Sequence, residues 1–256
     1  MPSADNALMR RFHVPRAEPG VLVLDRRQAH HARDVLRLTI GDAVEVFDDD
    51  GRRAQGRILR CSPREVVVEI GEALAAAPSP LEVIVAAAVP KGARADWMVE
   101  KLGELGVSEY VPLIAARSVV HVEGPSKLDR WQRIAQESAR QSRRPGVMRI
   151  ASPAPLVTAL DSARGAGWYF CTEGPSLRPM ADAVASVVTA PRPPQLWLWI
   201  GPEGGWTPQE RDRFERAGLT PVSLGGTILR VETAAVAAAA VVAAVLVPAM
   251  QKGQQT

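Results

Sequence analysis

A parallel α/β domain with helices on both faces of its sheet, preceded by a smaller β-rich domain, is the architecture this sequence predicts. Three observations carry that reading. From Leu81 onward, short apolar runs alternate with helical patterns, as in successive βαβ units. Before residue 74 the apolar positions instead alternate along short stretches broken by turns. Two late apolar runs, 196–200 and 222–224, each stop at a glycine-rich loop that leads at once into a helix start. With 256 residues, 46% of them hydrophobic, the chain can bury the cores of two modest domains.

In the first domain, 1–74, residues 11–14 and 21–24 read as short strands and 28–38 as a brief helix. Residues 43–47 alternate apolar and polar, then meet Asp48, Asp49, Asp50 and Gly51, a hairpin turn. Residues 55–61 and 66–70 complete a small sheet or barrel, and 73–80, rich in Ala with two prolines, reads as a linker.

The second domain is placed at 80–250. Residues 83–89 form a continuous apolar strand, as expected where both faces are covered. Residues 96–105 form a helix with Met98, Leu102 and Leu105 inward, which Gly106 ends. Residues 110–115, 168–171, 196–200 and 222–224 are the further strands. A helix begins near Ser126, with Leu128, Trp131, Ile134 and Ala135 as its apolar stripe. The last helix, 233–247, is almost entirely Ala and Val and is expected to be buried on all sides.

The composition excludes several classes. No run reaches the roughly 18 uninterrupted apolar residues of a membrane span, and the first 16 residues lack the apolar core of a secretory signal. Cys61 and Cys171 have neither CxxC nor histidine spacing, so both read as reduced thiols of a cytoplasmic protein with no metal site. There is no GxGxxG after the first strand of the sheet, no GxxxxGK[ST] and no GxSxG. His13, His30, His31 and His121 show no triad or metal spacing.

Charge is informative through its distribution, because the net value is only +3. Between His121 and Ile150 the seven basic residues Lys127, Arg130, Arg133, Arg140, Arg143, Arg144 and Arg149 face only Glu123, Asp129 and Glu137. Arg133, Arg140 and Arg144, at i, i+7 and i+11, are expected on one exposed face. Such a face serves either as solvated surface or as a row of phosphate contacts. His30 and His31, near Arg33 and Arg37, allow the same two readings.

The two late loops carry the strongest chemical signal. Gly201-Pro202-Glu203-Gly204-Gly205 leaves a buried strand, and Thr207, Pro208 and Glu210 then spell an N-cap, a first-turn proline and a capping box. Such loops lie outside the carboxyl ends of strands, where open α/β sheets bind ligands; they also serve as plain β–α connections. In the second loop Arg230 and Glu232 stand just before the apolar helix, either as a pair that caps it or with separate tasks.

Read together, these residues resemble a known family. Pro90, Lys91 and Gly92, with 96–101 and 104–107, resemble the first motif of the SPOUT methyltransferases, as do 200–205 and 224–234. Within that superfamily the chain is similar to the RsmE family of 16S rRNA uridine-N3 methyltransferases. Residues 11–14, 31–37, Gly41 with Asp42, and 117–120 match that family as well. Arg143 departs from its pattern, standing where a Gly commonly precedes the residue matching Arg144.

The resemblance implies an N-terminal PUA-like β-barrel that helps bind RNA and a C-terminal SPOUT α/β domain tied in a deep trefoil knot. It also implies a homodimer acting on 16S rRNA of the small ribosomal subunit, with neither metal nor membrane. S-adenosylmethionine (SAM) is expected against Ile200, Gly201, Pro202, Gly204, Leu224, Gly225, Ile228 and Leu229. The helix start at Thr233 and Ala234, with Thr172 and Glu173, is expected to complete that pocket. RNA contacts are expected from Arg11, His31, Arg33, Arg37, Arg133, Arg140 and Arg144. Uracil N3 is a poor nucleophile until it loses its proton, so Arg230 is expected to stabilise charge on a uracil carbonyl oxygen. Glu203 is expected to accept the proton or orient the base. The alternatives are a non-catalytic RNA-binding assembly protein and an enzyme of this type acting on another RNA, such as tRNA.

Overall fold

The computed structural model describes residues 9–74, 81–122, 124–172, 177–189 and 195–253. The chain forms two compact units, Met1–Pro78 with Ala139–Val147, and Ser79–Ser138 with Met148–Thr256. The first unit is thus discontinuous in sequence and takes in nine residues that the sequence analysis leaves in the second domain.

The first unit is built on β1 (Arg10–His13), β2 (Gly20–Val23), β3 (Ala43–Phe47), β4 (Arg53–Cys61) and β5 (Val66–Leu74). They follow one path, β1-β3-β4-β5-β2, with β1 and β3 parallel and the other pairs antiparallel. One core draws Phe12, Val44, Val46, Ile58, Val68 and Ile70 from four of these strands, so the sheet curls around it. The hairpin expected at Asp48 is present: the Asp48 carboxylate, 1% exposed, accepts from Ala17 N and Arg52 N at 3.2 and 2.9 Å, and Gly51 supplies φ +82°.

The brief helix expected over 28–38 differs in the structure. It starts earlier, as α1 (Arg26–His30) capped by Asp25, then widens into a π-helical turn at His31–Val35. Leu36 N donates to His31 O, five residues back, and Arg37 ends the element in the left-handed region at φ +54°.

The second unit contains β6 (Glu82–Ala88), α2 (Ala93–Glu104), β7 (Glu109–Ile114), α3 (Pro125–Ser142), β8 (Arg149–Ile150), β9 (Ala154–Pro155) and α4 (Leu156–Ser162). Then follow β10 (Ala166–Phe170), β11 (Arg178–Pro179), α5 (Met180–Thr189), β12 (Gln195–Ile200), α6 (Pro208–Arg216), β13 (Thr220–Ser223) and α7 (Val231–Gly253). The strand order is β11-β13-β10-β12-β6-β7-β8, with β9 also on β7, and every ladder between described residues is parallel. The last turn of α3, from Ala139, belongs to the first unit.

β12 lies between β10 and β6, which is why its sequence is apolar on both faces. Trp197 and Trp199 stack at 5.2 Å, and Trp199 and Trp206 pack against Phe214 of α6. α7 packs on β6, β12, α2 and α5. It is not buried on all sides, as its composition suggested. Ala234, Ala235, Ala238, Ala239 and Val242 form one buried stripe, whereas Val236, Ala240 and Val241 are half-buried and Val245 is exposed. No helix among the described residues is long and apolar enough to cross a membrane.

Candidate active site

Three strand-to-helix loops of the second unit meet over the carboxyl ends of β10, β12 and β13 and enclose a cleft of about 330 Å3. That is within the size range of small-molecule sites. Phe170, Cys171 and Thr172 come from the end of β10, 200–206 from the β12 loop, and Leu224, Gly225, Thr227, Ile228 and Leu229 from the β13 loop. Val231 and Ala234 of α7, Arg117 and Arg211 complete the lining.

The β12 loop is fixed by its own sequence. A Cβ on Gly201 would stand 2.9 Å from the Trp206 ring, so only glycine lets that indole close over the strand end. Trp206 Nε1 then donates to Phe170 O at 2.9 Å, tying the loop to β10. Gly205 N donates to Pro202 O at 2.8 Å. Thr207 and Glu210 form the expected capping box at the start of α6. Glu210, 6% exposed, does more than cap: its Oε1 accepts from Ala116 N, in the loop after β7, at 2.8 Å. Arg117 of the same loop donates from Nη1 to Gly204 O at 2.6 Å.

The β13 loop is open by comparison. Gly225 has φ +146°, and a Cβ on Gly225 or Gly226 would meet nothing within 4 Å, so a ligand can come close to bare backbone there. Ile228, although it lines the cleft, is 82% exposed. Burial pushes the Cys171 thiol above the ordinary thiol range, an effect partly offset by the Arg211 guanidinium.

The structure brings together Thr172, Ile200, Gly201, Pro202, Gly204, Leu224, Gly225, Ile228, Leu229 and Ala234, with Glu203 exposed among them. It leaves Arg230 and Thr233 out of the lining. Both are exposed, and Arg230 stands in the chain between two lining residues, Leu229 and Val231. Glu173 lies outside the described residues. Glu232 does not pair with Arg230; it is 6% exposed, and its Oε1 meets Arg94 Nη1 of α2 at 3.4 Å. Sequence reasoning missed Phe170, Cys171, Trp206, Arg117 and Arg211 as lining residues. Adjacency to the loop was a usable signal for Trp206; nothing in the spacing marked Arg211.

The expected RNA contacts divide. Arg37 and Arg133 are exposed, and His31, Arg33 and Arg140 are half-buried. Arg33 is engaged by Asp34 and by Ser62 O. Arg11 is corrected by the structure: it is 4% exposed, with Nε 2.7 Å from Glu45 Oε1 in an ion pair. Its terminal nitrogens donate to Ala139 O and Arg144 O, at 3.4 and 3.2 Å, and its guanidinium lies over the Phe47 ring. Arg11 therefore holds the first unit together. Arg144 does not extend the row on α3, because the helix stops at Ser142 and Arg143 turns into the left-handed region at φ +57°. Arg144 is half-buried, and burial lowers its pKa to about 10.

Comparison with known proteins decides which chemistry this cleft belongs to. Residues 77–243 match the family model of the RNA methyltransferase domain, and 24–71 that of the RNA methyltransferase PUA domain. The ribosomal RNA small subunit methyltransferase E of Synechocystis sp. is 33% identical over 230 residues, which cover 89% of this chain and 74% of that protein. The chain belongs to the RsmE family of RNA methyltransferases. Among the solved structures that share its fold are two with the cofactor bound. A putative methyltransferase from Legionella pneumophila, in complex with the bound cofactor SAM, is 29% identical with a TM-score of 0.79, over 92% of this chain and 97% of that one. The ribosomal RNA small subunit methyltransferase E of Neisseria gonorrhoeae, bound to S-adenosyl methionine, is 28% identical with a TM-score of 0.76, over 91% and 95%. The N-terminal unit is accordingly PUA-like, and the parallel sheet belongs to the RNA methyltransferase domain.

Proposed function

We propose that this chain methylates N3 of a specific uridine in 16S rRNA of the small ribosomal subunit, with SAM as methyl donor. The observation that carries the proposal is the cleft itself: glycine backbone and apolar side chains from three β–α loops converge in an RsmE-family chain. The residues present fit the donor. Ile200, Leu224 and Leu229 offer apolar cover for a nucleoside, and the open space over Gly225 and Gly226 admits a ligand against the main chain. Bound there, SAM would supply a methyl group made electrophilic by its positive sulfur. Thr172, Gly201, Pro202, Gly204, Ile228 and Ala234 are assigned to holding it, with Thr233 at the margin and with Glu173, which lies outside the described residues.

For the target base, Glu203 is assigned to take the N3 proton or to orient the ring, and Arg230, exposed beside the cleft, to stabilise the charge that develops on the carbonyl oxygen once RNA is bound. Arg37, Arg133 and Arg140, with His31 and Arg33, are assigned to the RNA backbone, where cations position the substrate. The reading extends to a cytoplasmic homodimer with the deep knot of its superfamily. The half-buried apolar side of α7 away from its buried stripe, with Val236, Ala240 and Ala243, supports a second copy as partner.

The test uses labelled SAM and small ribosomal subunits from cells lacking this activity, with the RNA then digested to nucleosides. Label in 3-methyluridine is expected. Label in another nucleoside, or only with tRNA, would redirect the substrate, and no label together with no SAM binding would favour an assembly protein. Arg230→Ala at full turnover would remove that residue from the mechanism.

A further inference from the structure

The chain after β7 makes a tight turn at 115–118, with Ser118 N donating to Ala115 O at 3.0 Å and Ala115 N to Ser118 Oγ at 3.0 Å. Two ties run from this turn to the β12 side of the cleft, Ala116 N to Glu210 Oε1 and Arg117 Nη1 to Gly204 O. The second involves more than a hydrogen bond. The Arg117 stem lies along Gly204, where a Cβ would stand 3.2 Å from Arg117 Cδ and 3.3 Å from its Cβ. The carbonyl next to Glu203 is thus held by a cation and covered by its methylenes, and Arg117, itself exposed, also lines the cleft.

We propose that Arg117 is a positioning residue for methyl transfer, fixing the Gly204–Gly205 peptide and with it the cleft wall that carries the Glu203 carboxylate. The proposal rests on reading the cleft as the methyl donor's site. A loop already ordered before the donor arrives costs less to order on binding, and an in-line reaction is sensitive to small misplacements. Arginine suits the task because its planar fork aims a donor while its flat stem packs on backbone. Gly204 suits it because any side chain there would crowd Arg117.

Arg117→Met keeps the stem and removes the donor, whereas Arg117→Lys keeps a donor at the end of a flexible stem. Each full-length variant would be titrated with SAM by calorimetry, assayed on unmethylated small ribosomal subunits, and melted. Arg117→Met is expected to weaken SAM binding about tenfold and to lower kcat by a further several-fold, with an unchanged unfolding midpoint. Arg117→Lys is expected to recover most of both losses. Wild-type affinity and kcat in Arg117→Met would overturn the role. So would losses that track a lowered unfolding midpoint and that Lys does not rescue, because Arg117 would then be only a tether. A wild-type chain that fails to bind SAM would instead sink the reading of the cleft, and the role of Arg117 with it.

Discussion

Single residues in this chain do tasks their type alone does not announce. Arg143 adopts φ +57° just past the end of α3, a conformation that costs an L-residue roughly 1–2 kcal/mol and glycine nothing. Arg143→Gly gives back part of that through the freer unfolded chain, so a net gain of roughly 0.5–1 kcal/mol is expected in urea unfolding. Cys171 offers a second test. Its thiol is raised by burial, so the reactive thiolate is scarce at neutral pH. In a Cys61→Ser background, alkylation at pH 7.5 should be slower than for a free thiol, should accelerate as pH rises through and beyond the usual thiol range, and should slow again with SAM present. Equal rates with and without SAM would place the ligand elsewhere. Sequence could show that Arg11 and Arg144 are cations beside strand and helix; it could not show that folding buries Arg11 and leaves Arg144 half-buried, because burial depends on contacts remote in sequence.

At the scale of elements, the strands with strong apolar runs were legible and the short ones were not. β6, β7, β10, β12 and β13 all fall within two residues of where the sequence puts them, since continuous apolar runs flanked by turns leave little choice. β8, β9 and β11 are two-residue ladders with no pattern to detect, and α4 and α5 were not separated from their surroundings. The capping box at Thr207 and Glu210 was read from four letters, yet half of what Glu210 does was hidden. Its other oxygen serves Ala116, 94 positions away in sequence. Glu210→Ala removes both functions, so it should cost about 1–2 kcal/mol of stability. It should also weaken SAM binding, measured by calorimetry at a temperature where the variant is fully folded. A stability loss with unchanged affinity would reduce Glu210 to a cap.

For the whole molecule, the second copy is the open prediction. Apolar residues on the side of α7 away from its buried stripe leave a surface that a lone chain keeps partly in water. Sedimentation is therefore expected to give about twice the 27.5 kDa of one chain, and Val236→Lys with Ala240→Lys, one turn apart on that side, should shift it toward a single chain. The parallel sheet was legible as a class, whereas the position of β12 between β10 and β6 was not, because strand order is set by contacts remote in sequence. The membership of Ala139–Val147 in the first unit was hidden for the same reason. There Arg11 reaches the carbonyls of Ala139 and Arg144, and Val147 N donates to Asp49 O at 3.4 Å beside the β3–β4 turn. No single cut in the gene therefore yields that unit whole. A fragment ending near residue 78 would expose the Arg11–Glu45 pair and lose the strap across the hairpin, so the N-terminal module is not a cassette that can be moved between enzymes by swapping a contiguous stretch of sequence.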